Sequence, residues 1–243
     1  LVRFLLETFT GQTVWSAART GVAARVREAL RRLESARLVA IHDDGDRIEV
    51  GGLAQAVAAA GIFPETARLL IDWLDARRPD PRGELTLEPI VAAALGKEMR
   101  PVLPPLAGPE HSEPVLFEEL RRRLEPERRS AARHLWGLLA RPTGFTIDDR
   151  RMAKLALLLD DWIGAEDTET LETRYGVLSG SIGSAGAHAA WIIRAAGALA
   201  AALGMAEAPE SLRRLADRLE PGVGEEGVEL ARMRVEGLGR GAI

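Results

Sequence analysis

Apolar residues recur at intervals of three and four along most of this chain, and one hairpin signal interrupts them near the start. Leu1–Phe9 reads as the tail of a helix. Over Val22–Ser35, the residues Val22, Val26, Ala29, Leu30 and Leu33 make an apolar stripe, with Arg25, Arg27, Arg31 and Arg32 on the remaining faces. Two β-prone runs follow, Leu38–Ile41 and Arg47–Val50, and the Asp43-Asp44-Gly45-Asp46 turn between them predicts a hairpin. Helical spacing then resumes at Leu53–Ala60, Glu65–Ala76, Leu85–Leu95, Val115–Leu124, Glu127–Ala140 and Thr146–Trp162. A short polar helix ends at Tyr175-Gly176, and a long alanine-rich one spans about Ser181 to Leu203. Ser211–Leu219 and Glu225–Met233 are shorter, and the chain turns at Gly237-Leu238-Gly239-Arg240.

The order helix, hairpin, helix is that of a winged helix. Its wing tip carries Asp43, Asp44 and Asp46, which phosphate would repel, so the wing is expected to pack on protein. Arg77–Gly83 is a linker by composition. Arg100–Pro114 holds Pro101, Pro104, Pro105, Pro109 and Pro114, and is expected to be a long exposed connection. The pattern predicts a mainly α fold. A winged-helix domain with a small β-hairpin (1–76) precedes a linker with one helix (77–114), an all-helical bundle (115–208) and a partial helix-hairpin-helix-like segment (209–243).

The stretch Leu171–Leu203 organises the rest. Ile182, Ala185, Ala189, Ile192, Ala196, Leu199 and Leu203 form one seam of the long helix. Trp191 projects from the flank, in line with Ser184 and Ala198 and beside Ala187 and Ala195. Two readings stand open for it: packing against another helix, as most helical tryptophans do, or stacking of a flat partner over small neighbours.

Composition narrows the chemistry. Hydrophobic content of 47% with only 5% aromatics implies cores built from Ala, Leu, Val and Ile. A formal charge of -4 gives no global attraction to nucleic acid, so such contact must be local. The arginine clusters at Arg121–Arg123, Arg128, Arg129 and Arg133 face several directions and read as a solvated surface. Without cysteine there is no disulfide, thiolate site or cysteine nucleophile. No phosphate loop, HExxH pattern or nucleophile elbow occurs, and Asp43-Asp44, Asp148-Asp149 and Asp160-Asp161 lack histidines at metal-ligand spacing. Catalytic, metal and cofactor sites are therefore not expected in these residues. No apolar run approaches the roughly 20 residues that span a bilayer, and no signal peptide opens the chain. A cytoplasmic location is expected, and the chain, which opens without Met in apolar sequence, is expected to be a piece of something longer.

Six pieces together resemble the C-terminal half of superkiller-type superfamily-two helicases, above all archaeal and bacterial DNA-repair helicases. They are Asp161-Trp162-Ile163, Tyr175-Gly176, Gly180-Ser181-Ile182, Trp191, Gly222-Val223-Gly224-Glu225-Glu226 and Leu238-Gly239-Arg240. Gly52–Ala67 is similar to the end of the winged helix in those enzymes. The likeness is closest over 155–240 and weakest over 77–130.

The resemblance implies a non-catalytic tail that braces RecA-like motor domains. ATP and Mg would bind in those domains, outside this chain. A ratchet helix would touch bases of single-stranded or branched DNA, or of RNA, as the strand moves. On this helix Trp191 matches the base-contacting tryptophan, with Ser184 and Arg194 beside it, and Gly237, Gly239 and Arg240 would meet the backbone. Two departures weaken the grip: the family arginine two turns before the tryptophan is Ser184, and the Gly-Asp pair is Gly180-Ser181. A second function stays open, a platform that docks a nuclease or repair protein, for which the acidic wing and negative charge speak.

Overall fold

In a computed structural model of the protein, the described residues are 19–42, 47–78, 86–140, 144–164 and 166–233. They are mainly helical, with one two-stranded antiparallel hairpin. The chain divides into two compact units, Leu1–Gln55 and Ala56–Ile243.

The first unit contains α1 (Arg19–Ser35), β1 (Val39–His42) and β2 (Arg47–Val50). Arg37 adopts φ 62° after α1, and the Leu38 N–H returns to the Leu33 carbonyl, which turns the chain into β1. Val39 pairs with Val50 and Ile41 with Ile48, which puts these four on one face of the ribbon. Val22, Ala36 and Leu38 are buried, whereas Val26, Leu30 and Leu33 of the expected stripe are half-buried and Ala29 is exposed. The acidic turn 43–46 and the opening stretch 1–9 lie outside the described residues.

The division falls within α2 (Gly52–Ala60), and the second unit holds the remaining helices. Pro64 opens α3 (Pro64–Arg77), whose start is capped from a distance: the Glu98 carboxylate accepts the Phe63 N–H at 2.5 Å and the Thr66 hydroxyl at 2.6 Å. α4 (Leu87–Ala94) is buried from Glu88 to Ala94, and Glu88 is neutralised there by Arg77 at 2.8 Å. Next come α5 (Val115–Leu124), α6 (Ser130–Leu139), α7 (Ile147–Ile163), α8 (Thr168–Tyr175), α9 (Ser179–Ala202), α10 (Ala208–Leu219) and the short α11 (Val228–Arg232). α6 begins at Ser130 rather than at Glu127: Pro126 follows Glu125, which sits at φ 50°, and Arg129 is still extended. α10 starts three residues earlier than expected, because Pro209 lies in its first turn, where a missing N–H costs nothing.

The stretch rich in proline is not the uniformly exposed connection that its composition suggested. It carries two 3₁₀ turns, Lys97–Val102 and Gly108–His111, and Leu103 and Pro104 are buried. Proline excludes a regular helix and so leaves carbonyls without backbone donors. Cations of α7 take them: Arg151 donates to the Leu103 and Pro104 carbonyls at 2.6 and 2.9 Å, and Arg150 to that of Glu113 at 2.6 Å. Lys154, only 1% exposed, bonds the Pro105 carbonyl at 2.9 Å and the Glu110 carboxylate at 2.7 Å.

α7 begins with a reciprocal cap between Thr146 and Asp149, with bonds of 3.1 and 2.8 Å. From Ala153 to Leu159 it is buried at every position, since α4, α5, α8, α9 and α10 all pack on it. α9 in turn packs on α3, α4, α7, α10 and the Lys97–Val102 turn. These two helices are the axis of the core.

Candidate nucleic-acid interface

The expected seam of α9 is buried at Ile182, Ala185, Ala189, Ile192, Ala196 and Leu199, and Leu203, just past the helix end, is half-buried. A second buried row of small residues lets α10 approach. At Gly186 an added Cβ would stand 2.5 Å from the Leu219 carbonyl oxygen, so only glycine allows this crossing. What remains of the helix circumference is an arc. Ser184, Ala187, Arg194 and Ala198 are on it, and His188 and Trp191 are half-buried.

Trp191 is held at its polar edge. Its indole N–H donates to the carbonyl of Ala60 at 2.7 Å. Ala60 is the last residue of α2, where a helix leaves carbonyls without internal partners. The bond fixes the ring and commits its only donor, so any flat ligand must meet the ring by its face or its far edge. His188 stands edge-on to the ring at 6.5 Å, and its Nδ1–H donates to the Ser184 carbonyl at 2.8 Å. The tryptophan thus packs against a neighbouring helix end and keeps part of its surface outside.

A groove of about 310 Å³ runs beside the first turns of α9. Pro101, Leu103 and Pro105 form one wall, and Val177, Ser181 and Ser184 the other. Ser184 therefore borders the groove on one side, and Trp191 lies two turns further, roughly 10 Å along the axis. On the opposite flank Arg194 is not free: it pairs with Glu220, the residue that caps α10, and with Asp217 at 3.4 Å. Asp217 also receives Arg213 at 2.9 Å and Arg232 at 2.6 Å. Gly237, Gly239 and Arg240 lie outside the described residues.

Several of the motif residues prove to be framework. Trp162 donates its N–H to the Leu219 carbonyl at 3.0 Å, inside the crossing that Gly186 permits. Asp161, 7% exposed, accepts from the Tyr175 hydroxyl and from Arg123, each at 2.5 Å, and from Arg174 at 2.8 Å. Burial alone would raise the Asp161 pKa, but these donors outweigh it and hold the carboxyl below the ordinary aspartate range. Next to it Asp160 goes the other way, since burial dominates and raises its pKa. Arg123 is thus drawn inward to the two carboxylates, while Arg121 and Arg122 pair at the surface with Glu127 and Glu119.

Three neighbours of the candidate site escape a reading of the chain: Ala60, which anchors the indole; Pro101–Pro105, which walls the groove; and Glu220, which holds Arg194. The first and third lie 131 and 26 residues from their partners, and no local spacing signals such contacts. His188 is visible as a helical neighbour three residues away, though not its bond to Ser184. Among the described residues no group of three or more His, Cys, Asp or Glu is arranged to hold a metal ion, and no helix is long and apolar enough to cross a membrane.

Residues 139–222 match the model of a protein family described as archaeal helicase, domain 4. The match runs from the end of α6 through α10, and so includes Trp162, Tyr175 and Trp191. It supports a helicase C-terminal region that is not itself the motor.

Proposed function

We propose that this chain is the strand-handling C-terminal part of an ATP-dependent superfamily-two helicase, in which α9 serves as a ratchet helix. One observation carries the reading: within the span matched to the helicase domain, Trp191 is pinned by its N–H to Ala60 while its ring stays half-buried among Ser184, Ala187 and Ala198. A fixed aromatic face accepts any base, because every base has a π-face, and stacking of this kind contributes about 1–3 kcal/mol per base. The groove at Ser181 and Ser184 continues the path with hydroxyls and no cation, so the strand is held weakly there.

On this reading the first unit is a winged helix that braces RecA-like motor domains of the same cytoplasmic protein, and those domains bind ATP and Mg. The residues Gly237, Gly239 and Arg240 would start a helix-hairpin-helix on the strand backbone. The substrate is single-stranded or branched DNA, with RNA as an outcome of the test. The purified chain should show no ATPase activity and should bind a fluorescein-labelled oligo(dT) weakly, with strong salt dependence. Trp191→Ala should weaken that binding at least fivefold and slow unwinding by the complete enzyme; unchanged affinity and unwinding would refute the assignment.

A second reading has its own support. The surface arginines Arg121, Arg122, Arg194, Arg213, Arg214 and Arg232 are all paired with carboxylates, which offsets the basic charge of these patches. This favours a platform for a nuclease or repair protein. Co-purification of such a partner that survives nuclease treatment and high salt would support it over strand handling.

A further inference from the structure

Arg194 lies three residues after Trp191, one turn along the exposed arc of α9, where the two side chains are neighbours. A nucleotide whose base meets the Trp191 ring would bring its phosphate within reach of a cation so placed. The guanidinium, however, is already engaged by carboxylate oxygens of Glu220 and, at 3.4 Å, of Asp217.

These two acids differ in how firmly they are held. Asp217 is 18% exposed and also takes Arg213 and Arg232 at shorter distances than Arg194. Glu220 is 52% exposed, and among the described residues its ion pair is with Arg194 alone. It sits at the C-terminal end of α10, where the helix dipole disfavours negative charge and a cation is welcome. Glu220 thus leans on Arg194 without being locked to it.

We infer that Glu220 is a built-in phosphate mimic that masks Arg194, so that a single strand must displace this carboxylate before the arginine can hold its phosphodiester. The inference rests on the strand-handling reading and adds to it an internal competitor. An exposed pair of this kind is weak and is screened by salt, so the mask lowers affinity without abolishing it. A ratchet contact benefits from such a bond, since a grip that is readily exchanged for an internal partner does not stall the strand.

The test compares the 243-residue chain with its variants by fluorescence anisotropy on fluorescein-labelled oligo(dT) across a salt series. Glu220→Gln should tighten binding roughly two- to fivefold at low salt, and the gain should shrink as salt rises, because the ion pair that the strand must displace in the parent is itself screened. The gain should vanish in the Arg194→Ala background. Glu118→Gln, which makes the same change in net charge on an exposed face of α5, should leave affinity unchanged. Equal gains from Glu220→Gln with and without Arg194, or from Glu118→Gln, would overturn the mask, because charge alone would then explain them. No gain from Glu220→Gln alongside a clear loss in Trp191→Ala also overturns it and leaves the ratchet reading intact. A gain that needs Arg194 while Trp191→Ala binds normally keeps the mask and removes the stacking. If neither the parent chain nor Glu220→Gln binds the probe, both ideas fall.

Discussion

Trp162 stands so close to Gly222 that a Cβ at position 222 would lie 1.9 Å from the ring carbon Cε2. Gly222 also has φ +72°, a conformation that a side chain disfavours. The chain leaves α10 by folding back over this indole, whose N–H meanwhile holds the Leu219 carbonyl. Gly222→Ala must therefore either move the ring or open the turn. It is expected to destabilise the protein by about 2–4 kcal/mol, the sum of overpacking and backbone strain. Gly183→Ala is the contrast: it lies within α9 with open space around the new methyl, and should stabilise by about 0.5–1 kcal/mol. Urea unfolding followed by circular dichroism reads both.

Asp161 makes the bundle sensitive to acid. Its folded pKa lies below the ordinary value of about 3.9 for an unfolded aspartate. A depressed carboxyl contributes stability above the unfolded pKa and loses it as the pH falls through the folded one, so the loss begins near pH 4 and continues below. Glu119, brought down to about 2 by Arg122 and Arg123, adds in the same direction, though it is only half-buried and contributes less. Asp160 opposes them, since its raised pKa means that protonation there favours the fold. The net expectation is a urea midpoint that falls between pH 5 and pH 2.5, and falls less in Asp161→Asn. A steeper fall in that variant would contradict the assignment.

Tyr175→Phe removes one donor from the same carboxylate without changing shape. A hydrogen bond to a charged group contributes about 1.5–3 kcal/mol, and the variant should lose stability of that order at neutral pH. Its further loss on acidification should be smaller than the parent's, because Asp161 is then less depressed and less stability remains to be lost as the pH falls below about 4. A thermal melt at two pH values separates the two effects.

Periodicity along the chain was enough to locate the helices and the hairpin, and it picked out the buried face of α9, because a three–four spacing of Ile182, Ala185, Ala189 and Ile192 has few other uses. The failures have a common cause. No spacing singles out the cations of α7, yet Arg151 and Lys154 hold the carbonyls of Leu103, Pro104 and Pro105 in the proline-rich stretch. Arg123 looked like its neighbours Arg121 and Arg122 until the fold brought Asp160 and Asp161 beside it. Trp191 was placed on the flank by helical geometry alone, but its partner Ala60 belongs to a helix end that no local pattern connects to it. Elements follow from neighbours in sequence; the pairing of polar groups depends on contacts between distant segments.

Lys154 is the clearest case of such a contact, and it can be tested alone. Lys154→Met keeps the bulk of the buried stem but frees the Pro105 carbonyl and the Glu110 carboxylate. The loss is expected to be about 1–3 kcal/mol, the cost of leaving such groups without their partner. Because the bonds secure one segment, the change should be local: faster amide exchange across 103–113, with little change in α9. Uniformly faster exchange would show that the lysine supports the whole core instead.

Trp191 has two attachments, and two substitutions separate them. Trp191→Phe keeps an aromatic face but removes the N–H, so the Ala60 carbonyl loses its donor and stability should fall by about 1 kcal/mol. Trp191→Ala removes the face as well and leaves a space against the end of α2, so it should fall further. If the ring also stacks on bases, affinity for oligo(dT) must follow the face and not the stability. Trp191→Phe should then bind within about threefold of the parent chain, and Trp191→Ala should lose the fivefold or more that one stacked base contributes. If the tryptophan is only a brace, both variants melt earlier while folded protein binds the oligonucleotide as the parent does. Anisotropy measured well below both melting points decides between these outcomes, since there the population of folded chain is the same and only the ring differs.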